Sequence, residues 1–305
     1  MMNLLIAGAS GFIGTELTNA LAKDHQLTVL GRSQVRLQQH FSQSVRALTW
    51  DALSGHDALP YDAVINLCGS NIGARRWSAT VKDELIASRT MTNQRLIAWL
   101  NAQKATPRFL CANAIGIYGA EDKSTVSFDE NSPVQTDSSP DFLKQIGLAW
   151  QDALKPAADA GMSVTTLRFG VVLKKGKGML KKLELPYKAC LGSILGSGEQ
   201  SLSWIHHEDV VNAVRFILEH PEASGPFNLT SPNPVTQKEF AKTFAAVLKR
   251  PLLLKTPSFF IRALLGEMGE YLLLKGQSVL PKRLLEAGFS FKYPTLEAAL
   301  RREYS

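Results

Sequence analysis

The stretch MNLLIAGASGFIGTEL (residues 2–17) carries three evenly spaced glycines between an apolar run and a helical pattern. Gly8 ends the apolar run, at a turn that a Cβ atom would crowd. Gly11 leaves room for a pyrophosphate beside the main chain, and Gly14 lets the following helix pack closely on the sheet. The N–H groups and partial positive charge of a helix N-terminus would face the phosphates. This spacing predicts a site for a phosphate-bearing cofactor.

Three further residues of this turn are expected cofactor contacts. Ser10 can add a hydroxyl donor, while Phe12 and Ile13 are the first residues of the predicted helix. A glycine-rich turn in some other α/β protein is the alternative interpretation. The strand before the glycines and the helix after them favour dinucleotide binding, because that motif needs a βαβ context.

The end of the second predicted strand discriminates between cofactors. Dinucleotide sites for NAD place Asp or Glu there to bind the ribose 2′-hydroxyl, whereas this chain has Arg32 and Ser33. A carboxylate would repel a 2′-phosphate, and an arginine can bind it with two donors. The sequence therefore predicts NADP(H) rather than NAD(H), with a solvent-facing Arg32 as the alternative.

Two more cofactor contacts are expected where later strands end. Asp51 follows the third predicted strand and could accept from the adenine amino group, or could cap a turn. The segment Asn66-Leu67-Cys68-Gly69 ends the fourth, and its small residues could let main chain pass beneath the cofactor riboses, which makes Leu67, Cys68 and Gly69 expected contacts.

Alternating strands and helices must position these residues. Seven short apolar runs predict strands, at 3–8, 27–31, 46–50, 62–69, 108–114, 163–170 and 225–232. Helical periodicity predicts helices up to Lys23 after the glycine turn, over 79–102, over 141–158, within 203–220, and after a Thr236–Glu239 capping box. Strands separated by helices build a parallel sheet, with ligands at the carboxyl ends of the strands.

The fold class is therefore α/β, a doubly wound parallel (Rossmann) sheet with a smaller, mainly helical C-terminal lobe for substrate. Residues 1–173 form the NADP-binding domain, completed by about 203–230. The smaller lobe comprises 174–202 and 231–305. Residues 174–203 show no clear alternation and are expected to form an excursion over the end of the sheet.

Composition limits the partners. The net charge is +7 over 305 residues, and the basic residues are dispersed except for a cluster in LKKGKGMLKKLEL (173–185). A solvated loop is the favoured interpretation of that cluster, ahead of a patch attracting an anionic substrate or the cofactor phosphates. Nucleic-acid binding is disfavoured because no aromatic residues interleave to stack bases.

Cysteine usage and hydropathy indicate a cytoplasmic protein. The three cysteines are Cys68, Cys111 and Cys190, an odd number without a CxxC pair, which argues against both a disulfide framework and a zinc site. We predict no metal. No stretch is long and apolar enough for a membrane helix, and the first residues do not resemble a secretory signal, so no membrane partner is expected.

These features resemble the extended short-chain dehydrogenase/reductase superfamily. Five segments narrow the resemblance to the "epimerase family protein" group of predicted nucleoside-diphosphate-sugar epimerases: ARRWSATVKDELIASR (74–89), LRFGVVL (167–173), LGSGEQSLSWIHHEDVV (195–211), GPFNLTSPNPVTQKEFA (225–241) and LPKRLLEAGFSFKYPTLEAAL (280–300). The resemblance implies an NADP-type cofactor, a substrate cleft between two lobes and little about substrate.

The resemblance also implies contacts from the segment after the fourth strand. It places Glu84 and Arg89 beside the cofactor, where Glu84 could bind a ribose hydroxyl and Arg89 a phosphate. An ion pair on the helix surface is the alternative. Superfamily members often pair through two long helices, here roughly 79–102 and 141–158, so a homodimer is possible.

The superfamily's usual catalytic groups are missing. Its members use a Ser or Thr after the fifth strand, then Tyr-x-x-x-Lys on the next helix, where lysine lowers the pKa of the tyrosine. The stretch CANAIGIYG (111–119) has Asn113 and Ala114 at the first position. The helix in PDFLKQIGLAWQDAL (140–154) has Phe142 or Leu143 at the tyrosine position and Ile146 or Gly147 at the lysine position.

Three replacements are candidates for catalysis. Asn113 could hydrogen-bond a substrate carbonyl, Tyr118 could donate a proton, and His206 could act as acid or base. A structural role is the alternative for Tyr118 and His206. Lys144 lies on the expected helix but at the wrong spacing.

Two functions remain. The first is an NADP(H)-dependent oxidoreductase or epimerase, acting on an unknown small carbonyl or sugar-nucleotide substrate with a non-standard acid–base group. The second is a catalytically silent NADP(H)-binding sensor or regulatory protein, suggested by the absent tyrosine and lysine.

Overall fold

A computed structural model describes residues 1–123, 126–136 and 141–305. The strands of these ranges are β1 Asn3–Ala7, β2 Gln26–Gly31, β3 Arg46–Thr49, β4 Ala63–Asn66, β5 Arg108–Ala114, β6 Ser127–Phe128, β7 Val164–Phe169, β8 Val171–Leu173, β9 Ser193–Leu195, β10 Ser201–Leu202, β11 Trp204–His206, β12 Gly225–Leu229, β13 Val235–Thr236, β14 Leu254–Thr256 and β15 Ser278–Val279.

The helices of the same ranges vary from single turns to seven turns. They are α1 Phe12–Leu21, α2 Gln34–His40, α3 Ala79–Ala102, α4 Phe142–Asp152, α5 Lys155–Asp159, α6 Gly178–Lys188, α7 His207–Glu219, α8 Gln237–Val247, α9 Ser258–Leu265, α10 Glu267–Gly269, α11 Lys282–Glu286 and α12 Leu296–Tyr304. Short 3₁₀ turns cover Leu53–Gly55 and Ile115–Tyr118, and a π turn covers Glu270–Leu274.

One parallel sheet of seven strands organises the molecule, in the order β12-β7-β5-β4-β1-β2-β3. The chain runs outward from β1 in one direction and then restarts beside β1 with β4. The connections after β1 and β4 therefore diverge at this switch point, and ligands of open α/β sheets bind there. The predicted doubly wound sheet is confirmed.

Helices cover both faces of the sheet. On one face α1 and α7 contribute Leu17, Leu21, Val210 and Val214 to a buried cluster. On the other, α3 and α4 contribute residues such as Leu96, Leu100 and Trp150. Strands buried on both sides need continuous apolar runs rather than alternation, which explains the pattern of the sequence.

A separate apolar core forms in the C-terminal lobe. Its buried residues include Tyr187 of α6, Phe244 of α8 and Leu300 of α12. The predicted capping box opens α8, since the Thr236 hydroxyl accepts from the N–H of Glu239 and the Glu239 carboxylate accepts from the N–H of Thr236.

Two expectations about elements were wrong. The basic cluster of 173–185 was expected in a solvated loop, but from Gly178 onward it forms the helix α6, and Lys174 and Lys182 bind Glu16 and the carbonyl of Gly73. The helix expected over 141–158 is two helices, because Pro156 lacks the N–H that would continue α4.

The lengths of the elements also bear on membrane insertion. None of the helices within 1–123, 126–136 and 141–305 combines the length and the apolarity needed to cross a bilayer.

Candidate functional site

Three adjoining clefts open at the carboxyl ends of the sheet strands. The first, the glycine-loop cleft, encloses about 490 Å³ where β1 and β4 diverge. It is lined by Gly8, Ser10, Gly11, Leu30, Gly31, Arg32, Trp50, Leu67, Cys68, Gly69, Ser70, Ser88 and Thr92. It therefore brings together residues that the sequence predicted as cofactor contacts from three different strand ends.

Glycine is required at two positions of the turn. Gly8 has φ +78°, and a Cβ atom there would lie 2.8 Å from the carbonyl carbon of Leu67. At Gly14 a Cβ atom would lie 2.3 Å from the carbonyl oxygen of Gly8. At Gly11 it would meet only that same oxygen, at 3.2 Å. Gly8 and Gly14 are therefore in close contact with neighbouring main chain, while a Cβ at Gly11 would have a single close neighbour.

The N-terminus of α1 points its main chain at this cleft. Gly11 is the N-cap residue and supplies no side-chain acceptor for the first turn. Phe12 and Ile13 pack their side chains against the core and are not among the residues that line the cleft. An uncapped helix N-terminus beside an exposed Ser10 suits a phosphate group.

The residue that follows β2, Arg32, is a cation without an ion-pair partner among the described residues. Arg32 is exposed, while Ser33 caps α2. No carboxylate stands at the end of this strand, where a ribose 2′-hydroxyl would need one. The local charge therefore suits a 2′-phosphate.

The second cleft, the Asp51 cleft, continues outward from Arg32 and encloses about 610 Å³. Arg95 lines it, stacks over the Trp50 ring and pairs with Asp51 at 3.7 Å. Asp51 is almost fully exposed, and Glu84 pairs with Arg75 at the rim. An indole face beside an exposed carboxylate suits an adenine ring.

A buried network fixes the loop after β4. The Asn66 amide donates to Asn93 at 2.6 Å and accepts from the N–H of Cys68 at 3.0 Å. Burial raises the pKa of the Cys68 thiol to about 12, so the thiol is neutral. Leu67, Cys68 and Gly69 thus present a rigid, uncharged main-chain edge to the glycine-loop cleft.

Arg89 lies between the glycine-loop cleft and the third cleft. Its guanidinium donates to the carbonyls of Leu85 at 2.8 Å and Ser70 at 3.0 Å, and stacks over Trp150. Burial lowers its pKa to about 10, which leaves it charged at neutral pH. No carboxylate among the described residues pairs with it, so it provides positive charge at the junction of the clefts.

The third cleft, the Asn113 cleft, encloses about 230 Å³ between the sheet and the C-terminal lobe. Its walls are mainly apolar, with a few amide, hydroxyl and charged groups. It is lined by Ile72, Arg89, Asn113, Ala114, Ile115, Gly116, Leu143, Ile146, Gly147, Trp150, Phe169, Gly170, Val171, Ser201, Leu202, Ser203, Tyr271, Leu272, Lys275, Gly276 and Gln277.

The positions aligned with the usual catalytic tyrosine and lysine are Phe142 or Leu143 and Ile146 or Gly147. Leu143, Ile146 and Gly147 line the Asn113 cleft, whereas Phe142 is buried in a separate cluster. A Cβ atom on Gly147 would lie 2.8 Å from the Cβ of Ile117, so no larger residue fits without displacing the 3₁₀ turn. The Gly147 carbonyl also accepts from the Asn113 amide at 3.1 Å.

Of the three predicted catalytic residues, the structure brings only Asn113 to the cleft. The Tyr118 hydroxyl is buried between Arg168 and Asn228. His206 is fully buried at the start of α7, where its Nδ1 accepts from the N–H of Glu208. Neither side chain lines the Asn113 cleft. Both side chains are instead held in buried hydrogen bonds, which agrees with the structural alternative for each of them.

His206, His207 and Glu303 form a cluster whose ligand atoms lie within 4.8 Å of one another. Because His206 Nδ1 is an acceptor, its Nε2 carries the proton and donates to Glu303 at 2.9 Å. A metal at Nε2 would require a protonated Nδ1 facing an N–H group. The cluster therefore joins α7 to α12 through hydrogen bonds.

Tyr271 and Lys275 were not expected at the site. They lie four residues apart in YLLLK, which places them on one side of the turn that closes the Asn113 cleft. Lys275 Nζ lies 5.1 Å from the centre of the Tyr271 ring. Their spacing was the available signal, but nothing local indicated that the C-terminal lobe folds back to this cleft.

Comparison with family models matches most of the chain. Residues 4–230 match the "NAD dependent epimerase/dehydratase family", and residues 256–303 match "Domain of unknown function (DUF1731)". The first match spans the sheet, the glycine-loop cleft and the Asp51 cleft. The second covers the part of the C-terminal lobe that contains Tyr271 and Lys275.

Similar proteins match nearly end to end. The "Epimerase family protein Mb2239" of Mycobacterium bovis is 40% identical, over 97% of this chain and 95% of its own. The "Epimerase family protein YfhF" of Bacillus subtilis is 37% identical, over 98% and 97%. Among solved structures, human epimerase family protein SDR39U1 with NADPH is 32% identical, with a TM-score of 0.88 over 99% of both chains.

Proposed function

The chain belongs to the NAD dependent epimerase/dehydratase family, and on that premise we propose that it binds NADP(H) for oxidoreduction or epimerisation of a small substrate. The pyrophosphate would lie on the glycine loop and the adenosine in the Asp51 cleft. The nicotinamide end would be directed toward the Asn113 cleft, where substrate binds.

The observation that carries this proposal is the uncapped N-terminus of α1 beside the uncommitted guanidinium of Arg32. One binds a pyrophosphate through main-chain N–H groups, and the other binds a 2′-phosphate. The human relative solved with NADPH supports the choice, because it matches over 99% of the chain.

The bound cofactor would supply hydride transfer, and the protein would position the substrate. The Asn113 amide nitrogen and oxygen are both held by main chain, at Gly147 and Ala114, which fixes its orientation at the cleft. The apolar walls of Leu143, Ile146 and Trp150 exclude water around the reacting atoms. Arg89 contributes positive charge where the glycine-loop cleft and the Asn113 cleft meet.

A catalytically silent sensor is the second candidate. It is favoured by Leu143 and Gly147, which leave the helix after β5 without a proton donor at the cleft. Under this alternative the chain binds NADP(H) and reports its redox state through contacts between the lobes.

Calorimetric titration with NADPH and NADH tests the cofactor proposal, and NADPH oxidation across carbonyl compounds and sugar nucleotides separates the two functions. We expect tight binding of NADPH and weaker binding of NADH. Turnover with any carbonyl supports the enzyme. Binding without turnover supports the sensor, and no heat with either nucleotide would refute both.

A further inference from the structure

The Asn113 cleft contains few groups able to move a proton. Three titratable side chains line it within the described part of the chain: Arg89, Tyr271 and Lys275. Arg89 remains charged and its donors are used on carbonyls of the loop and of α3, so it cannot act as an acid. The Ser203 hydroxyl is also committed, because it donates to Gln277 and accepts from Val279.

Tyr271 is available by contrast. It lies on the π turn Glu270–Leu274, its ring half-buried against the cluster that contains Trp77 and Phe142. Among the described residues its hydroxyl has no hydrogen-bond partner, whereas the Tyr118 hydroxyl has two. The packing fixes the ring while the hydroxyl stays free to contact a ligand.

Charges surround this phenol on several sides. Burial raises the pKa of Tyr271, and the carboxylates of Asp141, Glu267 and Glu270 raise it further. The phenol is therefore protonated at neutral pH and is a donor rather than a base. Lys275 lies over the ring, with Nζ 5.1 Å from its centre, and pairs with Glu270 at 3.8 Å.

We propose that Tyr271 is the proton donor to the oxygen of a carbonyl substrate in the Asn113 cleft, and that Lys275 stabilises the phenolate left behind. This inference rests on the proposed function, which supplies the reductant, NADPH. A C–H bond forms at the carbonyl carbon with the hydride, and an O–H bond forms at the oxygen with the Tyr271 proton. The carbonyl is reduced to an alcohol, NADPH is oxidised to NADP⁺, and solvent returns the proton to Tyr271.

The cleft also favours a class of substrate. It encloses about 230 Å³, and its walls include Ile72, Leu143, Ile146 and Trp150. Pockets that enclose drug-sized ligands run from roughly 300 to 1,000 Å³. A small aldehyde or ketone with an apolar body fits this space better than a sugar nucleotide does.

The test compares Tyr271→Phe with Tyr187→Phe, using NADPH and 4-nitrobenzaldehyde as the probe. Tyr187 is a matched control because it is buried away from the cleft and its hydroxyl has no partner among the described residues. We expect Tyr271→Phe to lower kcat by roughly 10²- to 10⁴-fold without changing the Kd for NADPH. Tyr187→Phe should leave both values unchanged.

A second measurement separates proton donation from a packing role. The phenolate absorbance of the NADPH-bound protein, followed against pH, should lose one titrating group in Tyr271→Phe. In Lys275→Gln that group should titrate at higher pH, and Lys275→Arg should restore it. The alkaline decline of kcat/KM should move in parallel.

The outcomes are distinguishable. Failure to bind NADPH refutes the proposed function itself. NADPH binding without reduction of 4-nitrobenzaldehyde overturns this inference and leaves the sensor. Full activity in a folded Tyr271→Phe variant, or a phenolate titration unaffected by Lys275→Gln, also overturns it.

Discussion

The Tyr118 hydroxyl oxygen lies 2.7 Å from Nη1 of Arg168, from which it accepts, and 3.0 Å from Oδ1 of Asn228, to which it donates. These contacts join the turn after β5 to β7 and β12. A buried guanidinium is destabilising unless its N–H groups have acceptors. Among the described residues Nε of Arg168 has none, so the acceptor that Tyr118 provides at Nη1 matters for stability. The phenol is therefore part of the structure of the sheet end.

Tyr118→Phe should reduce the free energy of unfolding by roughly 1–3 kcal/mol, because two buried polar groups lose their partner. Chemical denaturation measures the loss. Binding of NADPH and any turnover should be preserved in the folded variant. A large drop in kcat at unchanged stability would instead return Tyr118 to the catalytic site.

Arg32→Glu should weaken binding of NADPH by at least about tenfold and narrow its advantage over NADH, because a carboxylate repels the 2′-phosphate and accepts from a 2′-hydroxyl. Calorimetry with both nucleotides measures the change. Arg36→Glu is the control, since Arg36 is exposed on α2 and lines neither the glycine-loop cleft nor the Asp51 cleft. Equal losses in both variants would contradict the role of Arg32.

Gly14→Ala should lower the melting temperature, because the added Cβ would lie 2.3 Å from the Gly8 carbonyl oxygen. Overpacking of this kind costs roughly 1–3 kcal/mol. Gly55→Ala is the control, because its Cβ would meet nothing within 4 Å. Thermal unfolding of both variants provides the comparison, and equal melting temperatures would refute the packing argument.

Stability should fall on acidification because of His206. Burial, followed by the neighbouring charge of His207, lowers its pKa from 6.5 to about 4, although Glu303 and Glu208 oppose the shift. Between pH 6.5 and pH 4 the imidazole is protonated in the unfolded chain and neutral in the folded chain. The contribution of His206 to the free energy of unfolding is therefore complete above pH 6.5 and is lost as the pH falls toward 4.

The loss should amount to roughly 1–3 kcal/mol. Melting temperatures near pH 7 and pH 5 measure it, and His206→Gln should show a shallower dependence than the protein itself. His40→Gln, at an exposed position, should keep the full dependence. An unaltered slope in His206→Gln would assign the acid sensitivity to other groups.

Much of the fold was predictable because its signals are local. The apolar runs and helical periodicity gave the parallel sheet, and the glycine spacing gave the turn at the end of β1. Arg32 follows from its place after the second strand alone. The break at Pro156 was equally local but was not predicted.

The rest of the site depends on contacts between distant parts of the chain. Tyr271 lines the Asn113 cleft, and β15, which follows its turn, pairs with the distant strand β6. Tyr118 and His206 occur in suggestive sequence contexts, but their partners, Arg168 and Glu303, lie 50 and 97 residues away. No pattern of neighbouring residues in the sequence predicts such long-range contacts.

Ile117 already fills the volume that a side chain at position 147 would need. Introducing a lysine at position 147 would force a collision, and replacing Ile117 by a smaller residue first would open a cavity in a packed turn. Each intermediate is less stable than the present chain. If an ancestor had a lysine at this position, its loss would therefore be hard to reverse by mutation. A new proton donor would have to arise from another residue around the same cleft.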